Sequence, residues 1–399
     1  MRIVHTSDWH LGKKLYRTSR VSEQRKFLNW LSEYLITEKV DILLISGDIF
    51  DVPSPPNDAL VIYFDFLKRV TDKSNIQIFI IGGNHDSANF LLAPSPFLKQ
   101  NNIHISGNLS DLIEGNVDSY VKEVEIGGEV VSISMFPYFR THEIYNIAKK
   151  WNIDIEDGAL PIVQKILKEL CKPGDHKKIL MAHHLFGSYE EAGSELGLTL
   201  SGVESIPTSL LGDFDYIALG HIHKAQTLSK SSPVIHYSGS PMAFRFSETT
   251  QKTFSEININ NGQLNYNLVN IEQFDRLLRI TCTNQEIETY LEELISKWSE
   301  SELEVYIEMR IKSDQPITGI AERIRSRLSE HGIHLLSFQT IVMKDIHQKE
   351  EHFLEKGLKT EDLFKMFYKK KFPESTELPK QLNDDFIDLL SQVRQNDEA

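Results

Sequence analysis

Cysteine is scarce. Cys171 and Cys282 are the only two in 399 residues, far apart and in no paired pattern, which excludes a disulfide framework and fits a reducing compartment. Both read as packing residues. No apolar run is long enough to span a bilayer, and Met1-Arg2 leads straight into Ile3-Val4 and a polar motif rather than a signal-peptide core. The expected location is the cytoplasm. No Walker loop or G-x-G-x-x-G pattern surrounds Gly82-Gly83, so tight backbone approach explains that pair better than a phosphate-cradling loop. Internal repeats and low-complexity tracts are also missing. Basic residues are outnumbered, 43 Lys and Arg against 57 Asp and Glu, for a net charge of -14. That total argues against a uniformly basic surface, yet it leaves room for a local basic face or a carboxylate-rich metal site.

What is present is ordinary in bulk, 40% hydrophobic and 25% charged, as in a soluble globular chain long enough for one large domain with additions. Short apolar segments alternate with helical patterns from the start. Residues 2–6 form a strand that delivers Asp8 and His10. Ser22 opens a helix with Phe27, Leu28, Leu31, Tyr34 and Leu35 on one face. Residues 41–46 are apolar enough for a strand buried on both sides and end in Gly47-Asp48. A helix around 60–70 leads to strand 76–81 and to Gly82-Gly83-Asn84-His85-Asp86. Strands near 130–136 and 178–182, the latter ending in His183-His184, continue the scheme. A long Gly/Ser/Glu loop (187–209) precedes strand 216–219 with Gly220-His221-Ile222-His223, then strand 233–238 and a hairpin across Asn260-Asn261-Gly262. Polar groups stand at the carboxyl end of strand after strand, where α/β folds gather their ligands. From 277 onward, strands 278–283, 303–311 and 333–342 alternate with helices 287–298 and 317–329. The chain ends in a charged helical segment with amphipathic spacing at Leu382, Phe386, Leu389, Leu390 and Val393. The expected division is 1–272 catalytic, 273–343 a small α+β cap, and 344–399 a helical tail that packs on a partner.

The donors in these motifs are Asp8, His10, Asp48, Asn84, His183 or His184, His221 and His223, enough for two adjacent metals if one carboxylate bridges. Asp48, on the central strand, is the natural bridge. Nitrogen and oxygen ligation without thiolate favours Mn, Fe or Zn over a Ca or Mg cage. Two metals about 3.5–4 Å apart stabilise the attacking and leaving oxygens of an in-line displacement at phosphorus, so phosphoester hydrolysis is the first reaction to consider. A lone Asp-x-His or His-x-His is most often a surface pair; four ordered motifs at strand ends are not.

In that order, Asp8-x-His10, Gly47-Asp48-x-x-Asp51, Gly83-Asn84-His85-Asp86, His183 and Gly220-His-x-His223 resemble the calcineurin-like metallophosphoesterase superfamily. His5-Thr-Ser-Asp-Trp-His-Leu-Gly12, Gly47-Asp-Ile-Phe-Asp51, Ala218-Leu-Gly-His-Ile-His223 and Tyr237-Ser-Gly-Ser-Pro241 are most similar to its bacterial DNA nucleases that work with an SbcC-type ATPase. The likeness runs from Met1 to about residue 270 and is one of layout beyond. It implies an α/β fold, a four-layer α-β-β-α sandwich with a small α+β cap and a helical tail. It further implies one metal on Asp8, His10, Asp48 and His223 and a second on Asp48, Asn84, His183 and His221, most often manganese. His85 would stabilise or protonate the reacting phosphate, and Asp51 would orient the His85 imidazole. Related nucleases place His at the Asp51 position and a single His at the His183-His184 doublet; His183 is preferred here because it directly follows the strand.

Double-strand exonuclease and single-strand endonuclease action on DNA and a homodimer are further implications of the resemblance. Arg310, Lys312, Arg323, Arg325 and Arg327 are candidates for tracking a duplex. Phe353, Leu358, Leu363, Phe364 and Phe367 are candidates for docking on the ATPase partner. Lys369-Lys-Lys371 reads as a solvated face, His5 as a buried histidine, and His104, His142, His176, His331, His334, His347 and His352 as surface residues. The rival readings are a small-substrate phosphatase or phosphodiesterase, which has no need of the tail, and a non-catalytic scaffold, which has no need of the ligands.

Overall fold

A computed structural model describes residues 1–156, 158–191, 205–313 and 319–342, together with Phe364, Tyr368, Pro379, Leu382, Asn383 and Phe386. The first lobe is built from β1 (Arg2–Thr6), a small hairpin of β2 (Lys14–Leu15) and β3 (Thr18–Ser19), α1 (Val21–Thr37), β4 (Ile42–Ser46), α2 (Asn57–Lys73) and β5 (Gln77–Ile81). Two short helices, α3 (Ala88–Leu92) and α4 (Ser95–Leu98), lead to β6 (Ile103–Ser106). The second lobe follows α5 (Ser110–Ile113) and comprises β7 (Val121–Ile126), β8 (Glu129–Phe136), α6 (Thr141–Lys150), α7 (Leu160–Leu170), β9 (Lys177–Ala182), β10 (Tyr216–Leu219), β11 (Gln226–Ser229) and β12 (Val234–Tyr237). The hairpin β13 (Thr253–Asn260) and β14 (Gln263–Asn270) then returns to the first lobe.

Two six-stranded sheets result, ordered β14-β13-β1-β4-β5-β6 and β11-β12-β10-β9-β8-β7. Strands β1, β4, β5 and β6 run parallel, as do β12, β10, β9 and β8. Strands buried on both faces must be apolar throughout, and β4 (Ile-Leu-Leu-Ile-Ser) is buried at all five positions. Ile3, Ile42, Leu44 and Phe79 of one sheet pack on Ile133, Ile179, Met181 and Tyr216 of the other. The remaining faces are covered by helices: Phe27, Leu31, Ile62 and Phe66 of α1 and α2 on the first sheet, and Ile147, Ile162, Ile166 and Leu170 of α6 and α7 on the second. The order helix, sheet, sheet, helix is the four-layer sandwich expected. Truncating a core side chain such as Leu44 costs about 2–5 kcal/mol.

The α1 helix starts at Val21 after Arg20, with no side-chain cap, rather than at Ser22. Arg20 is taken up elsewhere: its buried guanidinium donates to the Ala243 carbonyl and pairs with Asp275.

Strand β15 (Asp275–Thr283), α8 (Ile287–Trp298), β16 (Glu304–Ser313), α9 (Ile320–Ser329) and β17 (Ile333–Val342) form a three-stranded sheet in the order β15-β16-β17 with two helices. Helix α9 buries Ile324 and Leu328 and leaves Arg323 and Arg325 exposed. Two compact units divide the chain, one holding Met1–Ile280, Tyr290–Met309 and Arg323–Ser337, the other Thr281–Thr289, Arg310–Glu322 and Phe338–Ala399. Within the second unit the rings of Phe364 and Phe386 stack with centroids 3.9 Å apart. The tail positions Phe353, Leu358, Leu363, Phe367 and Lys369-Lys-Lys371, and the loop 192–204, lie outside the described residues.

Candidate metal centre

Every donor named from the sequence follows the carboxyl end of a parallel strand: Asp8 and His10 follow β1, Asp48 follows β4, Asn84 and His85 follow β5, His183 follows β9, and His221 and His223 follow β10. The two sheets bring these ends together. Ser46, last in β4, donates its hydroxyl to the Ala218 carbonyl of β10 at 2.9 Å, and its own carbonyl accepts from His183 Nδ1 at 2.7 Å. A side chain on Gly220 would run into that same Ser46 carbonyl, and one on Gly83 into Asp48, so both positions need glycine for close backbone approach.

The spacing of two in Asp8-x-His10 does not work through extended backbone. Asp8 and His10 have φ of 54° and 44°, Asp48 of 50° and His221 of 97°, left-handed conformations that cost side-chain-bearing residues energy and persist only where the surroundings enforce them. Here they do. Trp9 between the two donors is buried edge-on against Phe27 and Phe66 and donates to Thr6 Oγ1 at 3.1 Å. The amides of Asp8 and His10 donate to the Gly47 and Asp48 carbonyls at 3.0 Å each. Gln24 of α1 spans the turn, giving its amide hydrogen to the His10 carbonyl at 3.0 Å and accepting from Gly12 N at 2.9 Å.

Three donor clusters emerge among the described residues, Asp8 with His10 and His223, Asp48 with His183 and His221, and His10 with Asp51 and His85, the ligand atoms of each lying within 4.8 Å of one another; the first two hold the donors assigned to the metals. His10 Nε2 is 3.0 Å from His223 Nε2. Asp48 Oδ2 lies 3.5 Å from His10 Nε2 and 3.3 Å from His183 Nε2, between the clusters. Asn84 Oδ1 reaches His183 Nε2 at 3.1 Å and His221 Nδ1 at 2.9 Å. The His221 and His223 of one short motif therefore serve different clusters.

The electrostatics suit cations. Burial, aided by the neighbouring Asp48, pushes the Asp8 carboxyl up to about 7. Burial also opposes a charge on Asp48, but His183 and the other imidazoles around it win and hold it well below the usual carboxylate range. Against burial, Asp48 in turn raises His183 to about 9. Burial depresses His10, takes His221 to about 3 and drives His223 far below the usual histidine range, which favours the neutral imidazole in all three. Neutral imidazoles converging on buried carboxylates are the donor set a pair of divalent ions requires.

The doublet separates cleanly. His183 faces the centre, whereas His184 is buried among Phe136, Tyr138 and Phe139, where its Nε2 accepts from the Phe139 amide at 3.2 Å. His85 Nδ1 donates to a carbonyl, that of Asp51, at 2.7 Å, so Nε2 is its free atom. The Asp51 carboxylate, expected to orient His85, makes its close contacts with other groups: its Oδ1 sits 3.3 Å from His10 Nδ1 and accepts from Lys13 at 2.6 Å, while a carboxylate oxygen stays within 4.8 Å of a His85 ring nitrogen. The hydrogen bond from residue 51 to His85 is made by its main-chain carbonyl. His5 is buried with Nδ1 3.1 Å from the Tyr216 hydroxyl, and His104 is half-buried, stacked on Phe79.

Sequence reading assigned no role to Asp86, although it stands in the motif after His85. Its carboxylate accepts from the amides of Gly83 (2.9 Å), Phe50 (3.0 Å) and Ile49 (3.2 Å), tying the loop after β4 to the loop after β5. Asp48 Oδ1 accepts from the His85 amide at 2.9 Å and completes the tie. Phe244, far away in sequence and carrying no motif signal, sets its ring edge-on against His10 and His223 at 5.2 and 5.3 Å.

Fold and centre together define a phosphoester hydrolase, and residues 1–225 match the family of calcineurin-like phosphoesterases, to which the chain belongs. Within it the chain is similar to curated proteins named as the D component of the SbcCD nuclease. That of Bacillus subtilis (strain 168) is 28% identical over 384 residues, 93% of each chain. The Staphylococcus epidermidis protein is 30% identical over 267 residues, 66% of this chain and 67% of its own. The Rhodobacter capsulatus protein is 31% identical over 266 residues, 62% and 64%. No helix among the described residues is long and apolar enough to cross a membrane.

Proposed function

We propose that the chain is the nuclease subunit of an SbcC–SbcD-type complex, a metal-dependent DNA nuclease that hydrolyses phosphodiester bonds in the processing of DNA ends for recombination and repair. One observation carries this reading: the Asp48 carboxylate lies between two clusters of imidazoles and acidic groups, 3.5 Å from His10 and 3.3 Å from His183. Asp8, His10, Asp48 and His223 would hold one ion, and Asp48, Asn84, His183 and His221 the other, with manganese preferred. Divalent ions there supply the charge that makes water a nucleophile at neutral pH and offset charge growing on the phosphate. The protein does the rest. The His85 Nδ1 hydrogen is committed to the Asp51 carbonyl, so Nε2 is the atom that meets the phosphate; the imidazolium form, with hydrogens on both nitrogens, gives its Nε2 proton to the leaving oxygen and is left as the Nδ1–H imidazole. Asp86 holds the loops of Asp48 and His85 in register.

The expected activities are double-strand exonuclease and single-strand or hairpin endonuclease, under control of an SbcC-type ATPase bound to the 344–399 tail, with residues 273–343 acting as a cap. Arg323 and Arg325 on the exposed face of α9 suit contact with duplex phosphates. Val61 and Phe64 of α2 and Phe97 of α4 are exposed by 49, 37 and 75%, apolar surface on the first lobe in keeping with a homodimer. Manganese-dependent cleavage of linear duplex and hairpin DNA, with and without the ATPase partner, tests the reading against a small chromogenic diester. Turnover of the diester without DNA cleavage in any combination would overturn it.

A further inference from the structure

Lys13 belongs to no motif, yet its side chain reaches the centre from the turn that follows His10. Its main chain is fixed independently, the Lys13 amide donating to the His10 carbonyl at 2.9 Å. Its ammonium, with a side chain only 21% exposed, donates to Asp51 Oδ1 at 2.6 Å and lies 5.2 Å from the centroid of the Phe244 ring. Both neighbours bear on His10: the same Asp51 oxygen is 3.3 Å from His10 Nδ1, and Phe244 packs edge-on against the His10 ring. The outer nitrogens of His183 and His85 are held by main-chain carbonyls, Ser46 and Asp51, which no substitution removes. Buried His10 Nδ1 has no main-chain carbonyl to hold it; Asp51 Oδ1, 3.3 Å away, is the acceptor beside it. Its orientation therefore depends on a side chain that another side chain must hold.

We propose that Lys13 is a positioning residue for the metal centre. By anchoring Asp51 beside His10 Nδ1, it keeps His10 in the tautomer that presents Nε2 to the Asp8–His10–His223 cluster, and so raises that cluster's affinity for its ion. This rests on the two-metal reading above. Partners in this position tune metal affinity by about 10- to 100-fold.

Manganese binding to the full chain, followed by calorimetric titration and by the EPR signal of bound Mn(II), provides the test. Lys13→Met is expected to weaken one of two ions by about 10- to 100-fold and leave the other unchanged, with Lys13→Arg restoring most of the loss. Asp51→Asn should reproduce the defect, and the double variant Lys13→Met with Asp51→Asn should add little to it, since both act through His10. Unfolding temperatures close to that of the unaltered chain keep misfolding apart from site loss. Two ions bound with unchanged affinities in Lys13→Met, or both weakened equally, would overturn the proposal alone. Failure of the unaltered chain to bind a second ion would instead overturn the two-metal reading beneath it.

Discussion

His183 and His184 are neighbours in the chain and belong to different regions of the fold. One lies on the carboxyl edge of the sheets, where Ser46 O takes its Nδ1 hydrogen and Nε2 turns to Asp48 and Asn84. The other is walled in by aromatic rings, its Nε2 engaged by the Phe139 amide. The same contrast recurs between His10, at the edge, and His5 and His236, enclosed between the sheets. All are buried, so burial does not separate them. What separates them is whether a ring nitrogen faces carboxylates and other lone pairs or faces hydrophobic packing. A buried imidazole of the first kind is placed to ligate a cation; one of the second kind is a polar filler that burial keeps neutral.

Breaking the edge at its shared ligand should have the largest effect. Asp48→Ala is expected to lower cleavage by about four orders of magnitude or more and bound manganese to fewer than two ions per chain, measured by elemental analysis with single-turnover kinetics; retention of both ions would show that Asp48 is no bridge. His85→Ala should cost about 10²- to 10⁴-fold in rate while both ions remain. Equal loss of ions in that variant would move His85 from proton donor to ligand.

The doublet itself offers the sharpest contrast. His183→Ala should remove one ion, whereas His184→Ala should keep both and lose about 1–3 kcal/mol of stability through the unpartnered Phe139 amide. Metal content read beside denaturant unfolding distinguishes the two outcomes, and ion loss in the His184 variant would erase the distinction.

The last effect concerns the interior and shows only under acid conditions. Burial lowers His236 to about 4 from an ordinary 6.5. Below 6.5 the unfolded chain binds a proton that the folded state refuses, so stability falls as pH drops from about 6.5 to 4, by roughly 3 kcal/mol in all. His236→Phe should lessen the fall of thermal stability across that window by this one residue's share, the other buried histidines keeping theirs. An unchanged slope would mean that His236 contributes no such penalty. Thr227, which faces His236 at 2.9 Å, keeps the Tyr266 hydroxyl 3.3 Å away in the variant.

Much of this was legible in the chain. Strand β4 declares itself by five apolar-to-small residues ending at Gly47-Asp48, and the hairpin β13–β14 by Asn260-Asn261-Gly262, with Asn261 and Gly262 at the positive φ such a turn demands. The donors were legible because metal-capable residues recur at successive strand ends. The roles of Asp51 and Phe244 were not. Asp51 sits at a motif position, but its spacing does not say which ring its carboxylate approaches, and Phe244 approaches from a segment more than two hundred residues after His10.

By itself, then, the sequence determined the alternation of elements, the order of the strands' donors and the residue types a two-metal centre needs, because periodicity and side-chain chemistry are local properties. Only the tertiary structure decided that Asp8 and His10 work through left-handed backbone with Trp9 as the anchor, that Asp51 sets its carboxylate beside His10 and its carbonyl on His85, and that the His184 ring is enclosed by Phe136, Tyr138 and Phe139. Those outcomes hang on where each ring nitrogen finds a partner. Such partners come from distant strands, and no spacing along the chain encodes the direction in which a buried imidazole must turn.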